Sequence, residues 1–562
     1  MWLKLMNRSK SFLSVDYDSP SPRSTPPTTP GLNSSSSNEA ASFSSGEVSP
    51  GMRLVAVPHD PFFTPEPASP FSSSFGGADE GKAFGSFAEQ GRLKVLIVGT
   101  GFSGLSAAIA CARQGFSVTV LERTAGLSVH GDAITFGVNA SVLLHRWGVG
   151  QEMYERGGSK GGCWLFKDKA GAPLHAEDVG SFKEQYGAPL LQGRRATFLG
   201  AMGTEARLLG INIRLEADVI AYLDSEDEPG VVLRTGEKLT GDVIIVADGV
   251  HSPARDLLAP HDRPPAPRVP SGYSIHRAAV PSTTLRQDKQ CCHLLDGTIR
   301  TWLAPDAHCC TYPMDDGRSL AFTFTHRDPA TGASLNWRDK RSMEDVLELL
   351  GEDWDPVLLR ALKHFQTALH WPVLQETPAE EWISAGGKIA FIGDAVHAMQ
   401  PTSFQGGSQA VEDGATVALC LAMAGGDSLG VGVALQAYEA LRRPRVGEAQ
   451  KLGRKQQEIW HHYASSAASS PSPNLRLPLC TPLGTTNHPL RPLSFSLYHH
   501  DAEHFALQNF PSFVAAIDPS FRVRARWISE AARKAELDLS PQRQEGGRWR
   551  GTTGRRRPAP AK

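Results

Sequence analysis

Leu93-Lys94-Val95-Leu96-Ile97-Val98-Gly99-Thr100-Gly101-Phe102-Ser103-Gly104-Leu105 is the stretch that decides the fold of this chain. Leu93–Val98 is a compact apolar run of strand length, and Ser103–Arg113, rich in Ala and Leu, reads as a helix. Ser117–Leu121 then alternates Val and Thr as a second strand. Strand, tight turn, helix and strand make the βαβ unit of a doubly wound parallel sheet. In the G-x-G-x-x-G turn, Gly99 permits the bend and Gly101 lets backbone N–H groups approach a pyrophosphate. Gly104 lets helix and strand pack closely, and the helix N-terminus favours the anion. Glu122, 23 residues beyond Gly99, ends the second strand and would take two ribose hydroxyls. An acid there suits adenosine without a 2′-phosphate, which means FAD or NAD rather than NADP.

Two later strands also end in Gly and Asp. Asp242-Val243-Ile244-Ile245-Val246-Ala247 runs into Asp248-Gly249, and Ile389-Ala390-Phe391-Ile392 runs into Gly393-Asp394-Ala395-Val396-His397. After the second come Pro401-Thr402-Ser403-Phe404-Gln405-Gly406-Gly407 and an Ala-rich helix expected to start near Ser408. Such a helix aims its N–H groups and positive dipole end at whatever lies in front of it, and reduced flavin carries negative charge on its pyrimidine edge. The dipole is worth about 0.3–1 kcal/mol.

Together the three elements resemble, in order and over residues 92–460, the single-component FAD-dependent aromatic hydroxylases, flavoprotein monooxygenases like salicylate and p-hydroxybenzoate hydroxylase. Asn139, Arg195, Tyr438, Arg442 and Arg445 match as well, and His500-Asp501 echoes the family's C-terminal end. The resemblance implies that Gly99, Gly101, Gly104 and Glu122 hold the ADP half of FAD and that Arg195 reaches the cofactor. Asp248 and Gly249 would touch FAD and accompany NADH or NADPH use. Asp394 would bind the ribityl chain, and Gln405, Gly406 and Gly407 would lie against the isoalloxazine. O₂ would add to the reduced flavin, and the distal OH of the resulting hydroperoxide would pass to an electron-rich ring.

The chain also departs from the family. Thr402 stands where a Tyr is usual, Phe404 where a small residue is usual, and Gly131-Asp132-Ala133 where a Gly-Ala-Gly loop is usual. These departures touch substrate shape more than flavin binding. His397 is a candidate base, the alternative being a histidine that orients the turn.

The stretch from about 270 to 380 alternates like a mixed sheet through Tyr273–Arg277, Thr301–Leu303, His308–Tyr312 and Leu320–Thr325. In the family such a sheet roofs the substrate pocket. Arg277 and Tyr312 are the candidate anchors for a phenolate or carboxylate, one as cation and one as donor; a surface Arg and a core Tyr are the plainer readings.

The fold expected is α/β: a Rossmann-like FAD-binding domain (91–268 and 381–460) with an inserted mixed β-sheet substrate domain (269–380). A linker and C-terminal helical segment (461–540) and a basic tail (541–562) follow. Residues 1–90 hold 19 Ser and 11 Pro, a composition that buries too little apolar surface to offset ordering, so a disordered tail is expected. Seven Ser-Pro or Thr-Pro pairs there make phosphorylation-controlled docking the alternative.

With 57 basic and 59 acidic residues the net charge of −2 gives no general affinity for nucleic acid or anionic membrane. No apolar run reaches the roughly 20 residues of a membrane span, so no integral membrane protein is expected. The eight Cys include no C-x-x-C, so no metal site is read, and Cys291-Cys292 and Cys309-Cys310 are taken as small apolar residues on strands. A cytoplasmic location is expected; Lys4, Arg8 and Lys10 without an acid in residues 1–15 leave a mitochondrial presequence open. The partners expected are a small aromatic substrate and O₂. Competing functions are a flavin-dependent epoxidase or polyketide-ring hydroxylase of secondary metabolism, and a non-catalytic flavin-binding interaction protein.

Overall fold

The computed structural model describes residues 53–56, 92–127, 133–157, 162–258, 269–328, 339–375, 379–467 and 488–537. Its first sheet has five strands, all parallel, in the order Ile389–Phe391, Val243–Val246, Lys94–Val98, Ser117–Leu121, Asn212–Arg214. The three strands that end in Gly and Asp motifs are therefore side by side, with Lys94–Val98 and Val243–Val246 in direct register. Helices cover the sheet, so its inner strands are largely apolar; Val95, Ile97 and all of Val243–Val246 are fully buried. Each such side chain contributes about 1.5–3 kcal/mol through burial.

The helix Phe102–Arg113 follows the glycine turn. Against it packs Gly406–Met423, which Gly414 lets approach closely: a Cβ there would stand 2.5 Å from the backbone N of Ala107.

The second sheet has eight strands and is larger than the 269–380 segment expected to form it. Its order is Lys340–Ser342, Thr367–Gln375, Val269–Pro281, Ser319–Arg327, Ala307–Met314, Ile299–Ala304, Cys163–Asp168, Pro173–Asp178. The last two strands come from within 91–268, and Cys163–Asp168 joins parallel to Ile299–Ala304 while the other pairings are antiparallel. The domain boundary read from the sequence is corrected accordingly: a hairpin some 120 residues upstream completes the sheet. Cys309 and Cys310 lie on a strand as expected, but Cys291 and Cys292 lie at a short 3-10 turn.

Two further corrections concern the ends. Most of 1–90 lies outside the described residues, but Arg53–Ala56 is a strand, not tail. It pairs antiparallel with Val219–Asp224 at the edge of a four-stranded sheet completed by Gly230–Leu233 and Lys238–Thr240. Composition averaged over ninety residues conceals a five-residue run, Arg53-Leu54-Val55-Ala56-Val57, with strand character. The helix Val431–Ala467 also runs past the expected domain limit at 460. The Ser-Pro and Thr-Pro pairs and the basic tail lie outside the described residues, as do Gly131 and Asp132. Among the described residues no single helix is long and apolar enough to cross a membrane.

Candidate active site

The glycines separate into those the chain needs for its own packing and those it does not. A Cβ on Gly104 would stand 1.9 Å from the carbonyl oxygen of Gly99, and one on Gly99, at φ 105°, would stand 2.5 Å from that of Ala247. Gly407 is similarly closed by Phe136 at 2.9 Å. A Cβ on Gly101, by contrast, would meet no atom within 4 Å, and neither would one on Gly249. Gly406 is nearly as open, with Met399 Cγ at 3.8 Å. Gly101 thus caps one helix and Gly406 begins another, with an open face at each start. That arrangement suits a ligand approached by backbone from several sides.

Glu122 sits where the sequence placed it. Its carboxylate accepts from the backbone N (3.0 Å) and hydroxyl (2.5 Å) of Thr100 and from the backbone N (3.0 Å) and hydroxyl (2.7 Å) of Thr124. Both hydroxyls rotate, so the carboxylate keeps acceptor capacity for a ribose. The two threonines were not singled out in the sequence, although both flank recognised positions.

Arg195 opens the helix Arg195–Leu208, with its guanidinium 4.8 Å from the Phe102 ring centroid. Burial lowers its pKa from the ordinary arginine value; Asp394 opposes that shift and Arg277 adds to it. Two cations and one exposed acid, Asp394, therefore converge beside the glycine turn. Asp248 and Gly249 follow the strand Val243–Val246, next to the central strand Lys94–Val98, with Gly249 at φ 88°.

Two expectations change here. Gln405 is fully buried; its side-chain oxygen accepts from Asn139 Nδ2 (3.0 Å) and Gln409 Nε2 (2.9 Å). Its side chain braces the helix start from inside, which removes it from the ring-facing set and leaves Gly406 as the open position. The helix itself begins at Gly406, two residues before Ser408.

His397 is 1% exposed, with Nε2 2.5 Å from Asp413 Oδ2, and its ring packs on Trp382. The same Asp413 oxygen accepts from Gly393 N at 2.9 Å. His397 therefore fixes the turn that carries Asp394 and, fully buried, does not serve as a base.

Behind this turn lies a buried ion network. Arg442 reaches Glu412 (2.5 Å) and Asp413 (2.8 Å), Arg445 reaches both oxygens of Glu412 (2.6 and 2.7 Å), and Asn139 donates to Glu412 at 2.6 Å. Burial alone would raise the pKa of Glu412, but Arg445 and Arg442 hold it well below the usual carboxylate range.

The eight-stranded sheet presents Arg277 and Tyr312 on one face. Register lines up Arg277, Thr323, Cys310 and Thr301 across four adjacent strands. Tyr312, two residues along, is buried, and that burial, then the nearby Cys310 thiol, holds its phenol well above its ordinary pKa. It is a neutral donor. Arg277 donates from Nη2 to the carbonyl of Ala133 (2.6 Å), while its buried Nε has no partner among the described residues. The polar row Thr323, Cys310 and Thr301 was missed in the sequence, where alternation marks a face but not which strands will adjoin.

A family model for an FAD binding domain matches residues 92–451. The chain is 31% identical to the FAD-dependent monooxygenase nanF of Aspergillus nanangensis over 65% of its own length and 80% of the relative's.

The chain belongs to the FAD-dependent monooxygenases.

This monooxygenase is also 30% identical to asperlicin C monooxygenase of Petromyces alliaceus, over 66% of this chain and 80% of that one. In fold it is similar to the crystal structure of CtdE in complex with FAD and a substrate (TM-score 0.64, 23% identity, 76% of this chain and all of that one). The monooxygenase therefore binds FAD and is an enzyme, which sets aside the non-catalytic flavin-binding alternative. Its open glycines, Arg195 beside the turn and the exposed Asp394 fit the phosphates and polyol of that cofactor.

Proposed function

We propose that this monooxygenase uses NADH or NADPH and O₂ to hydroxylate an aromatic substrate whose oxygen acceptor faces Arg277 and Tyr312. One substrate C–H becomes C–OH, the second oxygen atom leaves as water, and NAD(P)H with one proton supplies the two electrons. FAD supplies the chemistry when bound, taking hydride from the nicotinamide and activating O₂. The chain supplies placement and charge.

On this reading Gly99, Gly101, Gly104, Glu122, Thr100 and Arg195 hold the adenosine diphosphate half. Asp248, Gly249 and Asp394 hold the remainder, with Gly406 and Gly407 at the ring. The N-terminal end of Gly406–Met423 contributes its dipole; the first i to i−4 bond runs from Gln409 N to Gln405 O (2.7 Å), leaving the N–H groups of residues 406–408 ahead of it.

The observation that carries the substrate assignment is the buried Nε of Arg277, unpartnered among the described residues. A buried donor without an acceptor costs about 1–3 kcal/mol, which an anionic or carbonyl oxygen of a ligand would recover. Tyr312 stays protonated at neutral pH, so it donates to that oxygen and does not remove a proton. The catalytic assignment is thus Arg277 as cation and Tyr312 as donor.

Arg277→Ala should retain FAD, because the cofactor turns are untouched, and should weaken substrate by about 1.5–3 kcal/mol, the worth of a hydrogen bond to a charged group. A misplaced ring misses the reacting oxygen, so NAD(P)H oxidation should yield hydrogen peroxide at the expense of product. The check is the ratio of hydroxylated product to NAD(P)H consumed; an unchanged ratio with unchanged affinity removes Arg277 from the site.

A further inference from the structure

The turns Leu285–Gln287 and Cys292–Leu295 and the helix Pro356–Leu362 form a layer on one face of the eight-stranded sheet. Their apolar side chains pack on Trp302, Cys309 and Phe322, which alternate with Thr301, Cys310 and Thr323 along the same strands. The layer therefore lies across the sheet from Arg277.

At its solvent margin three side chains of different donor type turn toward one another. Asp288, Cys291 and His364 offer one oxygen, one sulfur and one nitrogen, all within 4.8 Å of one another. His364 Nε2 stands 3.2 Å from Asp288 Oδ2 and 4.0 Å from Cys291 Sγ. Around a tetrahedral zinc ion with bonds of about 2.0–2.3 Å, neighbouring ligand atoms stand about 3.3–3.6 Å apart, so these edges need to move by at most about half an ångström.

The surroundings hold this arrangement. Cys291 N and Cys292 N donate to Asp288 O (3.1 and 2.9 Å), and Gln290 N donates to Asp288 Oδ1 (3.1 Å). The other ring nitrogen of His364, Nδ1, faces Thr284 Oγ1 at 3.1 Å. An outer partner of that kind fixes the imidazole in the tautomer whose Nε2 can ligate. Cys291 is buried, while the side chains of Asp288 and His364 are 10% and 21% exposed, so an ion can enter from solvent. Arg360 Nε donates to both Asp288 oxygens (2.9 and 2.7 Å), but its side chain is 49% exposed and can keep Oδ1 while Oδ2 turns to an ion.

From this we infer that Asp288, Cys291 and His364 form a structural site for a zinc ion, with water completing the coordination. One thiolate, one imidazole and one carboxylate suit zinc, whereas magnesium and calcium take oxygen ligands. On binding, the Cys291 thiol gives its proton to solvent and its sulfur donates an electron pair to the metal. The ion ties the turn at 288–291 to the chain just beyond Pro356–Leu362, bridging Cys291 and His364 across 73 residues. Cysteine spacing alone hides such a site, because two of the three ligands are not cysteines.

The test uses the FAD-loaded full chain, stripped of metal with a chelator and then given zinc chloride, with bound zinc measured by mass spectrometry and affinity by competition with a zinc indicator. Wild type should retain one zinc per chain at this site and melt at a higher temperature with zinc than without. Cys291→Ser and His364→Gln should each bind zinc about a hundredfold or more weaker, and Thr284→Val about tenfold weaker, the range of an outer partner. Cys292→Ser should bind as wild type does, and all four should keep the flavin absorbance, since the site lies across the sheet from Arg277. Cobalt chloride in place of zinc should give wild type a thiolate-to-metal absorption band that Cys291→Ser lacks. A wild type that retains no zinc or shows no such band with cobalt overturns the inference without any variant. Zinc held equally tightly by Cys291→Ser and His364→Gln overturns it too, as does a loss in Cys292→Ser equal to that in Cys291→Ser. The monooxygenase reading stands in each of these cases.

Discussion

At the scale of single residues, the three glycines of the first turn separate fold from function. Gly104 and Gly99 are required by backbone atoms of the chain itself, whereas the space at Gly101 is open. Gly104→Ala should therefore fail to fold or lose most of its stability, since the clash is with backbone and has nowhere to relax. Gly101→Val should fold with near wild-type far-UV CD and melting temperature as apoprotein, yet lose FAD, read from the 450 nm absorbance of the purified protein. A Gly101→Val protein that stays fully yellow would show that the cofactor does not approach there. These glycines were legible in the sequence because their roles are local to one turn. Gln405 and His397 were not, because what they touch is decided by partners that the motif does not name: Asn139 lies 266 residues from Gln405, and Asp413 reaches His397 only once two elements pack.

Helices Gly406–Met423 and Val431–Ala467 are joined at the element scale by charge, not by apolar contact alone. Glu412 and Asp413, fully buried, face the buried Arg442 and the largely buried Arg445. Removing one partner of such a set leaves buried charge unbalanced, at about 3–5 kcal/mol. Glu412→Gln should be destabilised by that order at pH 7, measured by thermal or urea unfolding. The sign with pH follows from the depressed carboxylate: its contribution is complete above the unfolded value near 4.3 and is lost as pH falls toward the lower folded value. The gap between wild type and Glu412→Gln should therefore narrow below about pH 4; a gap that stays constant would place the stabilisation elsewhere. The residues of this network were recognisable as motif letters. That Asp413 holds Gly393 and His397, and so the turn bearing Asp394, required the packed helices.

For the molecule as a whole, four strands of the parallel sheet were legible because each is an apolar or alternating run that ends at a motif, whereas the edge strand Asn212–Arg214, short and polar, was not. The inserted sheet was legible only in part: alternation gave its central strands, but the hairpin Cys163–Asp168 and Pro173–Asp178 is far away in sequence and nothing in its pattern names its neighbour. The edge strand Arg53–Ala56 was hidden by the composition around it. Two truncations follow from that strand. Removing residues 1–50 should leave FAD content and melting temperature near those of the full chain. Removing 1–57 also strips a paired strand and bares the backbone of Val219–Asp224, so melting temperature should fall and aggregation rise, while equal behaviour of the two would make the strand dispensable. The central claim, that the chain transfers one oxygen atom from O₂ to an aromatic substrate, is tested most directly by mass spectrometry. FAD-loaded protein is given NADH or NADPH and a panel of phenols, benzoates and naphthols under ¹⁸O₂. A stimulated loss of NAD(P)H with a product carrying one ¹⁸O atom is the predicted result; FAD-replete protein whose NAD(P)H oxidation no aromatic stimulates, or a product whose new oxygen comes from water, would contradict it.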